Sequence, residues 1–415
     1  MIIVSKSDNL KGQVYISGSK NSVLPIMAAC LAVDGKTVLD NVPNLADVSN
    51  MLRILEDLGC IVEIKDKKIT IDSRVNEYIV PYELASKLRA SFIVCGSMLA
   101  RHKKIRISLP GGCCIGTRPV DLHLKGFSQL GAEIEQGQGF VQLTCKKLHG
   151  AKICLDFPSV GATENLLIAA TLADGMTQII NAATEPEIVD LSNFLVKCGA
   201  KISGIGTKEL TIRGVDRLNC CTHTIIPDRI EAGTYMIAAA ITGGNVELCD
   251  VCPDMLNPVS SKLREMGVCV CENGKKIRVH CEGLLKSVNV KTMPHPGFPT
   301  DMQSQFCALM CNSVGTGIVT ETVFENRFMH IGELLRMHAD IRVDGRNVVI
   351  NGTRSLVGCE VVASDLRAGA ALAVAGLAAV GTTKISNSDY INRGYENFVG
   401  KLQNIGANIE YKALI

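Results

Sequence analysis

One phrase recurs six times in this chain, and it restricts the fold more than any other feature. "DLGCIVEI" (57–64) returns as "QLGAEIEQ" (129–136), "KCGAKISG" (197–204), "EMGVCVCE" (265–272), "RMHADIRV" (336–343) and "NIGANIEY" (404–411). Gly59, Gly131, Gly199, Gly267 and Gly406, with His338 standing in the fifth copy, follow one another at steps of 68 to 72 residues. A period that long marks a repeated supersecondary unit, which buries its apolar face only against its neighbours.

The rest of the unit repeats as well. Each copy opens with a run of small residues, such as "GATENLLIAATLA" (161–173) or "DLRAGAALAVAGLAA" (365–379). Such a run predicts a helix that can be buried on all sides. A turn and a β-rich run follow. Then comes an amphipathic helix such as "LADVSNMLRILEDLG" (45–59), with apolar residues three and four apart. The repeated glycine ends it, being free to take a positive φ, and a strand pair closes the copy. Small helices inside and strands to one side predict an α/β domain wrapped by sheets around a helical core. Residues 2–18, "IIVSKSDNLKGQVYISG", resemble "VINGTRSLVGCEVVASD" (349–365). The chain is therefore expected to start mid-unit, its first strands completing the sixth copy. This divides six units into two domains of three, 20–227 and 1–19 plus 228–415.

Composition removes several function classes. A net charge of +2 gives no field for nucleic acid or an anionic membrane, and 4% aromatics without Trp leave no stacking surface. The longest apolar runs are too short and too Gly/Ala-rich to span a bilayer. The start "MIIVSKSDNLKGQ" has no signal-peptide pattern, so a cytoplasmic protein is expected. Eighteen cysteines then read as reduced thiols, most of them small buried apolar residues, and their spacing supports no metal site.

The inner-helix starts carry the chemistry. They are Lys20-Asn21, Arg89, Ser159-Val160-Gly161, Asp228-Arg229, Thr300-Asp301 and Asp365-Leu366-Arg367. A three-fold arrangement gathers such starts at one end of a domain. Helix N-termini favour anions, so Lys20, Arg89, Arg229 and Arg367 there imply a polyanionic ligand. Asp228 and Asp365 read as caps. Thr300 can cap its helix, which leaves Asp301 free to face a ligand. Arg327 in "ENRFMH" and Arg393 in "INRGYE" occupy matching places after a repeat strand. The loop "LPGGCCIGTRPVDLH" (109–123) occupies that place in the second copy. It sets a cysteine beside glycines and an arginine, as a thiol acting on an anion would require.

Taken together and in order, "GSKNSVLPI", "LRASFIV", "LPGGC", "RPVDLH", "SVGATEN", "EPEIVD", "PDRIEAGTY", "PHPGFPTDMQ", "TETVFENRFMH", "DLRAGA" and "RGYE" resemble the enolpyruvyl transferase family along the whole chain. The resemblance implies two inside-out α/β barrel domains, each of three repeated units. It implies transfer of enolpyruvate from phosphoenolpyruvate to the 3′-hydroxyl of UDP-N-acetylglucosamine, with phosphate released, in peptidoglycan synthesis. No cofactor or metal is implied. By resemblance Cys113 is the general acid and the thiol that fosfomycin alkylates, and Asp301 is the base. Lys20, Asn21, Arg118, Arg327, Arg367 and Arg393 hold phosphoenolpyruvate, with Lys20, Asn21 and Arg393 also catalytic. Arg89, Arg118, Pro119, Val120, Asp121, Leu122, Ser159, Val160, Gly161, Asp301 and Val323 bind the UDP-sugar. Gly111, Gly112 and Gly116 hinge a lid. His123 reads as a loop anchor, Glu185 and Glu187 as structural, and Cys114 as filler. Phe157 departs from the lysine common at that place in the family. An enolpyruvyl transferase with another acceptor, a retired copy that senses UDP-sugar and an inert repeat scaffold are the alternatives.

Overall fold

A computed structural model describes residues 1–109, 120–352 and 356–412. The chain divides into two compact units. The N-terminal unit holds the described residues from Gly18 to Ile226, and the C-terminal unit holds Met1–Ser17 with Pro227 onward. Each unit has its own apolar core.

In the N-terminal unit inner and outer helices alternate. They are α1 (Lys20–Ala29) inside, α2 (Ala46–Asp57) outside, α3 (Val94–Ser97) inside, α4 (Asp121–Gln129) outside, α5 (Val160–Ala170) inside and α6 (Pro186–Lys197) outside. The C-terminal unit repeats the order with α7 (Arg229–Ile241), α8 (Asn257–Glu265), α9 (Gln303–Cys311), α10 (Met329–Arg336), α11 (Leu366–Ala378) and α12 (Phe398–Asn404). The small-residue helices are the buried ones: from Arg367 to Leu377 every residue of α11 is inside. In the C-terminal unit α7, α9 and α11 pack on one another, and in the N-terminal unit α3 packs on both α1 and α5.

The second copy departs from a plain inner helix. Its run breaks into a 3-10 turn (Arg89–Ile93), the short α3 and a π turn (Met98–His102). Gly96 explains the close approach there. A Cβ at that position would stand 2.3 Å from the Asn165 carbonyl oxygen, and the Gly96 N–H donates to Asn165 Oδ1 at 2.8 Å.

Two strands precede α1: β1 (Ile2–Ser5) and β2 (Lys11–Tyr15). In the N-terminal unit β3 (Lys36–Asp40) takes β4 (Thr222–Thr224) as a parallel edge neighbour, so the third copy's last strand closes on the first copy's sheet. In the C-terminal unit β5 (Asn245–Cys249) takes β2 in the same way. β1 enters the sixth copy's sheet between β6 (Thr382–Ser386) and β7 (Ile409–Tyr411). The two N-terminal strands thus serve different sheets, one in the sixth copy and one in the fourth. Each four-stranded sheet combines a parallel edge strand with an antiparallel set, which draws three copies into a ring.

The repeated glycines fulfil their sequence role. Gly59 takes φ +102° and Gly406 φ +94° just past an outer helix. His338 is forced to the same left-handed region, φ +65°, where a side chain is disfavoured. Of the cysteines described, half are buried rather than most, because several fall on outward positions of strands or turns. No helix among the described residues is long and apolar enough to cross a membrane.

Candidate active site

Lys20 is the first residue of α1, and its Nζ lies 3.4 Å from Asp47 Oδ2 in the first turn of α2. Both groups are almost buried, so the charge of the helix-start lysine is balanced locally. Asn21 follows, half-buried. Ser22 Oγ donates to Asp190 Oδ2 on α6, and His223 Nε2 of β4 sits 2.9 Å from Asp190 Oδ1. The helix carrying Lys20 and Asn21 is therefore pinned to two neighbours by buried polar contacts.

A second group in the same unit forms around Asn165 of α5. Its Nδ2 lies 2.8 Å from His123 Nδ1 and donates to the Phe92 carbonyl at 2.9 Å. His123 belongs to α4, not to a loop, and meets the Phe92 ring edge-on at 5.2 Å. Burial, with the positive charge of Arg89 adding to it, pushes the His123 pKa down to about 3. The imidazole is thus neutral at ordinary pH, and an Nδ1 that accepts from Asn165 leaves its proton on Nε2. A Cβ on Gly161 would stand 3.2 Å from His123 Cε1, so glycine lets the start of α5 approach the imidazole. Ser159 caps that helix by accepting from the Ala162 N–H at 3.3 Å. His123 and Gly161 consequently meet, with Ser159 and Val160 adjoining and the charge of Arg89 felt at the imidazole. Val120, exposed Asp121 and Leu122 open the helix that carries His123. Cys113, Cys114, Arg118 and Pro119, with Gly111, Gly112 and Gly116, lie outside the described residues.

The C-terminal unit holds a clamped carboxylate of its own. Arg327 reaches Asp301 Oδ1 at 2.8 Å, while Arg367 reaches Oδ2 at 2.8 and 3.2 Å. Both arginines are buried, at 7% and 2% exposure. Asp301 is committed rather than free, which corrects the sequence expectation. Thr300 does not cap its helix either. Its hydroxyl accepts from Arg327 at 2.9 Å and donates to Glu321 Oε2 at 2.8 Å. Glu321 is fully buried and also accepts from the Val323 N–H at 2.7 Å and from Thr292 Oγ1 at 2.9 Å. Asp365 caps α11, as its residue type predicts, accepting from the backbone N–H of Arg367 at 2.8 Å. Asp228 caps α7 in the same manner. Arg393 ends a 3-10 turn (Ser388–Arg393) that packs on α11, the helix of Arg367. Two guanidiniums on one carboxylate leave excess positive charge, the arrangement that planar anion recognition requires.

Sequence reasoning missed Asp47, Asn165, Asp190 and Glu321, which hold the candidate residues in place. Asn165 and Glu321 had a readable signal, since each belongs to a motif quoted for the resemblance, "SVGATEN" and "TETVFENRFMH".

The comparisons agree with one another. The chain matches the family described as EPSP synthase (3-phosphoshikimate 1-carboxyvinyltransferase) over residues 4–402. It is 52% identical over 410 residues to UDP-N-acetylglucosamine 1-carboxyvinyltransferase 1 of Caldanaerobacter subterraneus subsp. tengcongensis, covering 99% of both chains. It is 51% identical to UDP-N-acetylglucosamine 1-carboxyvinyltransferase 2 of Carboxydothermus hydrogenoformans, covering 98% of both. Its fold is shared with the crystal structure of the enolpyruvyl transferase NikO from Streptomyces tendae, with TM-score 0.90, 24% identity and coverage of 99% and 98%. An EPSP synthase structure from Acinetobacter baumannii follows, with TM-score 0.76, 19% identity and 99% coverage of each chain. Near-complete coverage at more than half identity, on the same ring of repeats, means that the chain belongs to the EPSP synthase family of enolpyruvyl (carboxyvinyl) transferases.

Proposed function

We propose that the protein transfers the enolpyruvyl group of phosphoenolpyruvate to the 3′-hydroxyl of UDP-N-acetylglucosamine and releases phosphate, opening peptidoglycan synthesis in the cytoplasm. The curated relatives named for that acceptor support the choice of substrate. The observation that carries the chemistry is Asp301 held between Arg327 and Arg367.

The reaction is an addition followed by an elimination. Cys113, in the role the resemblance gives it, delivers a proton to the methylene carbon of phosphoenolpyruvate. The sugar oxygen attacks the adjacent carbon, and its proton passes to Asp301. Phosphate then leaves as the methyl group gives a proton back to the Cys113 thiolate and the double bond re-forms. A carboxylate already accepting from two guanidiniums has little lone-pair capacity for another donor. The phosphate and carboxylate of an incoming phosphoenolpyruvate offer Arg327 and Arg367 new partners, supported by Lys20, Asn21, Arg118 and Arg393. That exchange releases Asp301 to act as base only when substrate is present. Arg89, Arg118–Leu122, Ser159–Gly161 and Val323 take the UDP-sugar, with neutral His123 setting the start of α5.

Phosphate release tests the reading. Phosphoenolpyruvate with UDP-N-acetylglucosamine should give turnover, and phosphoenolpyruvate with shikimate 3-phosphate should not; the reverse result rejects the proposal. Asp301→Asn should lower kcat by about 10²–10⁴-fold. Cys113→Ala should abolish turnover, and fosfomycin should inactivate the wild type but leave a Cys113→Asp variant untouched.

A further inference from the structure

A pair of thiols outside the candidate site has the geometry of a covalent switch. Cys198 caps the end of α6, and Cys221 stands one residue before β4. Their sulfurs are 3.5 Å apart. The segments that carry them are already joined, since the Asn219 N–H donates to the Cys198 carbonyl at 2.8 Å; Cys221 is itself fixed to β3, where the Val38 N–H donates to its carbonyl at 3.0 Å. Closing sulfur contact to a bond of about 2.05 Å therefore needs side-chain rotation and a small shift, not rearrangement of the two elements. Access is provided from one side. Cys198 is buried, Cys221 is half-buried, and its neighbour Cys220 is exposed.

We propose that Cys198 and Cys221 form a reversible disulfide by exchange with a low-molecular-weight disulfide, stapling the end of α6 to β4. The Cys221 thiolate attacks one sulfur of the small disulfide, forming a mixed disulfide and expelling one small thiolate. Cys198 then gives up its proton and attacks the Cys221 sulfur, expelling the second small thiolate. Two protein thiols are oxidised, and one small disulfide is reduced to two thiols. The order of attack follows from the surroundings. The hydrogen bond between the sulfurs and the nearby Lys197 ammonium favour a thiolate at Cys221, while that hydrogen bond and then burial push Cys198 up and keep it protonated. Cytosolic disulfides are as a rule transient and redox-responsive, which suits a pair with one accessible member. The staple would sit on the helix whose Asp190 holds Ser22 beside Lys20 and Asn21.

Cys269 and Cys271 also touch, at 3.6 Å, but both are exposed and stand two apart on one extended strand, Cys269–Asn273. They form the built-in competitor. The test treats the full-length reduced protein with oxidised glutathione, blocks the remaining thiols by alkylation and maps the peptides. The expected product joins the peptides of Cys198 and Cys221, has lost two hydrogens, and reverts with dithiothreitol. It should persist in Cys220→Ser and vanish in Cys221→Ser. The N-terminal unit of the oxidised wild type should also unfold several degrees higher, by the closed loop it gains. Mixed disulfides confined to Cys154, Cys220, Cys269 and Cys271, or a bridge confined to Cys269–Cys271, would overturn the proposal. So would a bridge to Cys198 that disappears with Cys220→Ser.

Discussion

Asn165 is an uncharged amide with three buried partners, drawn from two stretches of chain, 92–96 and the helix of His123. Gly96 gives it an N–H, the Phe92 carbonyl takes one, and His123 takes another. Asn165→Ala strands all three, so it should destabilise the N-terminal unit by about 3–5 kcal/mol. Denaturant unfolding reads the change, and a loss below about 1 kcal/mol would mean that this hub holds nothing. The candidate ligand contacts were legible because they sit at fixed places in a repeat: Lys20 and Arg367 open inner helices, and Arg327 follows a repeat strand. Their partners were not. Asp190 meets Ser22 from 168 positions away, and Glu321 serves Thr292, Thr300 and Val323 at once. No spacing rule reports such contacts. The freedom assigned to Asp301 failed for the same reason, since both of its arginines come from other copies or loops.

At the scale of elements, the fifth copy tests why glycine ends the outer helices. His338 holds φ +65° on an exposed position and has no buried surface to lose. His338→Gly should therefore stabilise the C-terminal unit, by about 0.5–1 kcal/mol, through relief of the left-handed penalty less the extra backbone entropy. Equilibrium unfolding of the two proteins side by side checks the sign; a destabilised variant would show that the imidazole makes a contact worth more than the strain. Helix positions and sheet-forming runs were readable from period and residue size. The break in the second copy was not, because it comes from Gly96 pressing on α5, a contact between copies. Nor could the sequence divide β1 from β2, since the sharing of strands between neighbouring sheets is settled by ring closure rather than by residue type.

Across the whole molecule the two units repeat an electrostatic arrangement as well as a fold. Each buries a carboxyl on an inner helix that prefers its proton and an imidazole on an outer helix that refuses one. The N-terminal unit has Glu164, raised by burial and by Glu187 and Glu185, and His123, lowered to about 3. The C-terminal unit has Glu231, raised by burial from 4.5 to about 7 despite Lys401, and His330, lowered by burial from 6.5 to about 4 beside Asp365 and Arg327. A raised carboxyl contributes stability below its unfolded pKa and loses it as pH climbs through the folded value. A lowered imidazole does the opposite, losing stability as pH falls from 6.5 toward 4. Between pH 7 and 5 the Glu231 and His330 contributions are each about 2 kcal/mol and opposite in sign. The C-terminal unit of the wild type should therefore change little over that interval. Glu231→Gln keeps an acceptor for the Ser17 N–H but removes the titration. It should uncover the imidazole, so that the variant loses about 2 kcal/mol on going from pH 7 to pH 5. The slope rather than the absolute stability is the readout, because changing the Lys401 contact shifts the level as well. Parallel pH profiles for the two proteins would show that Glu231 is ionised throughout, and that the balance within the unit rests on other groups.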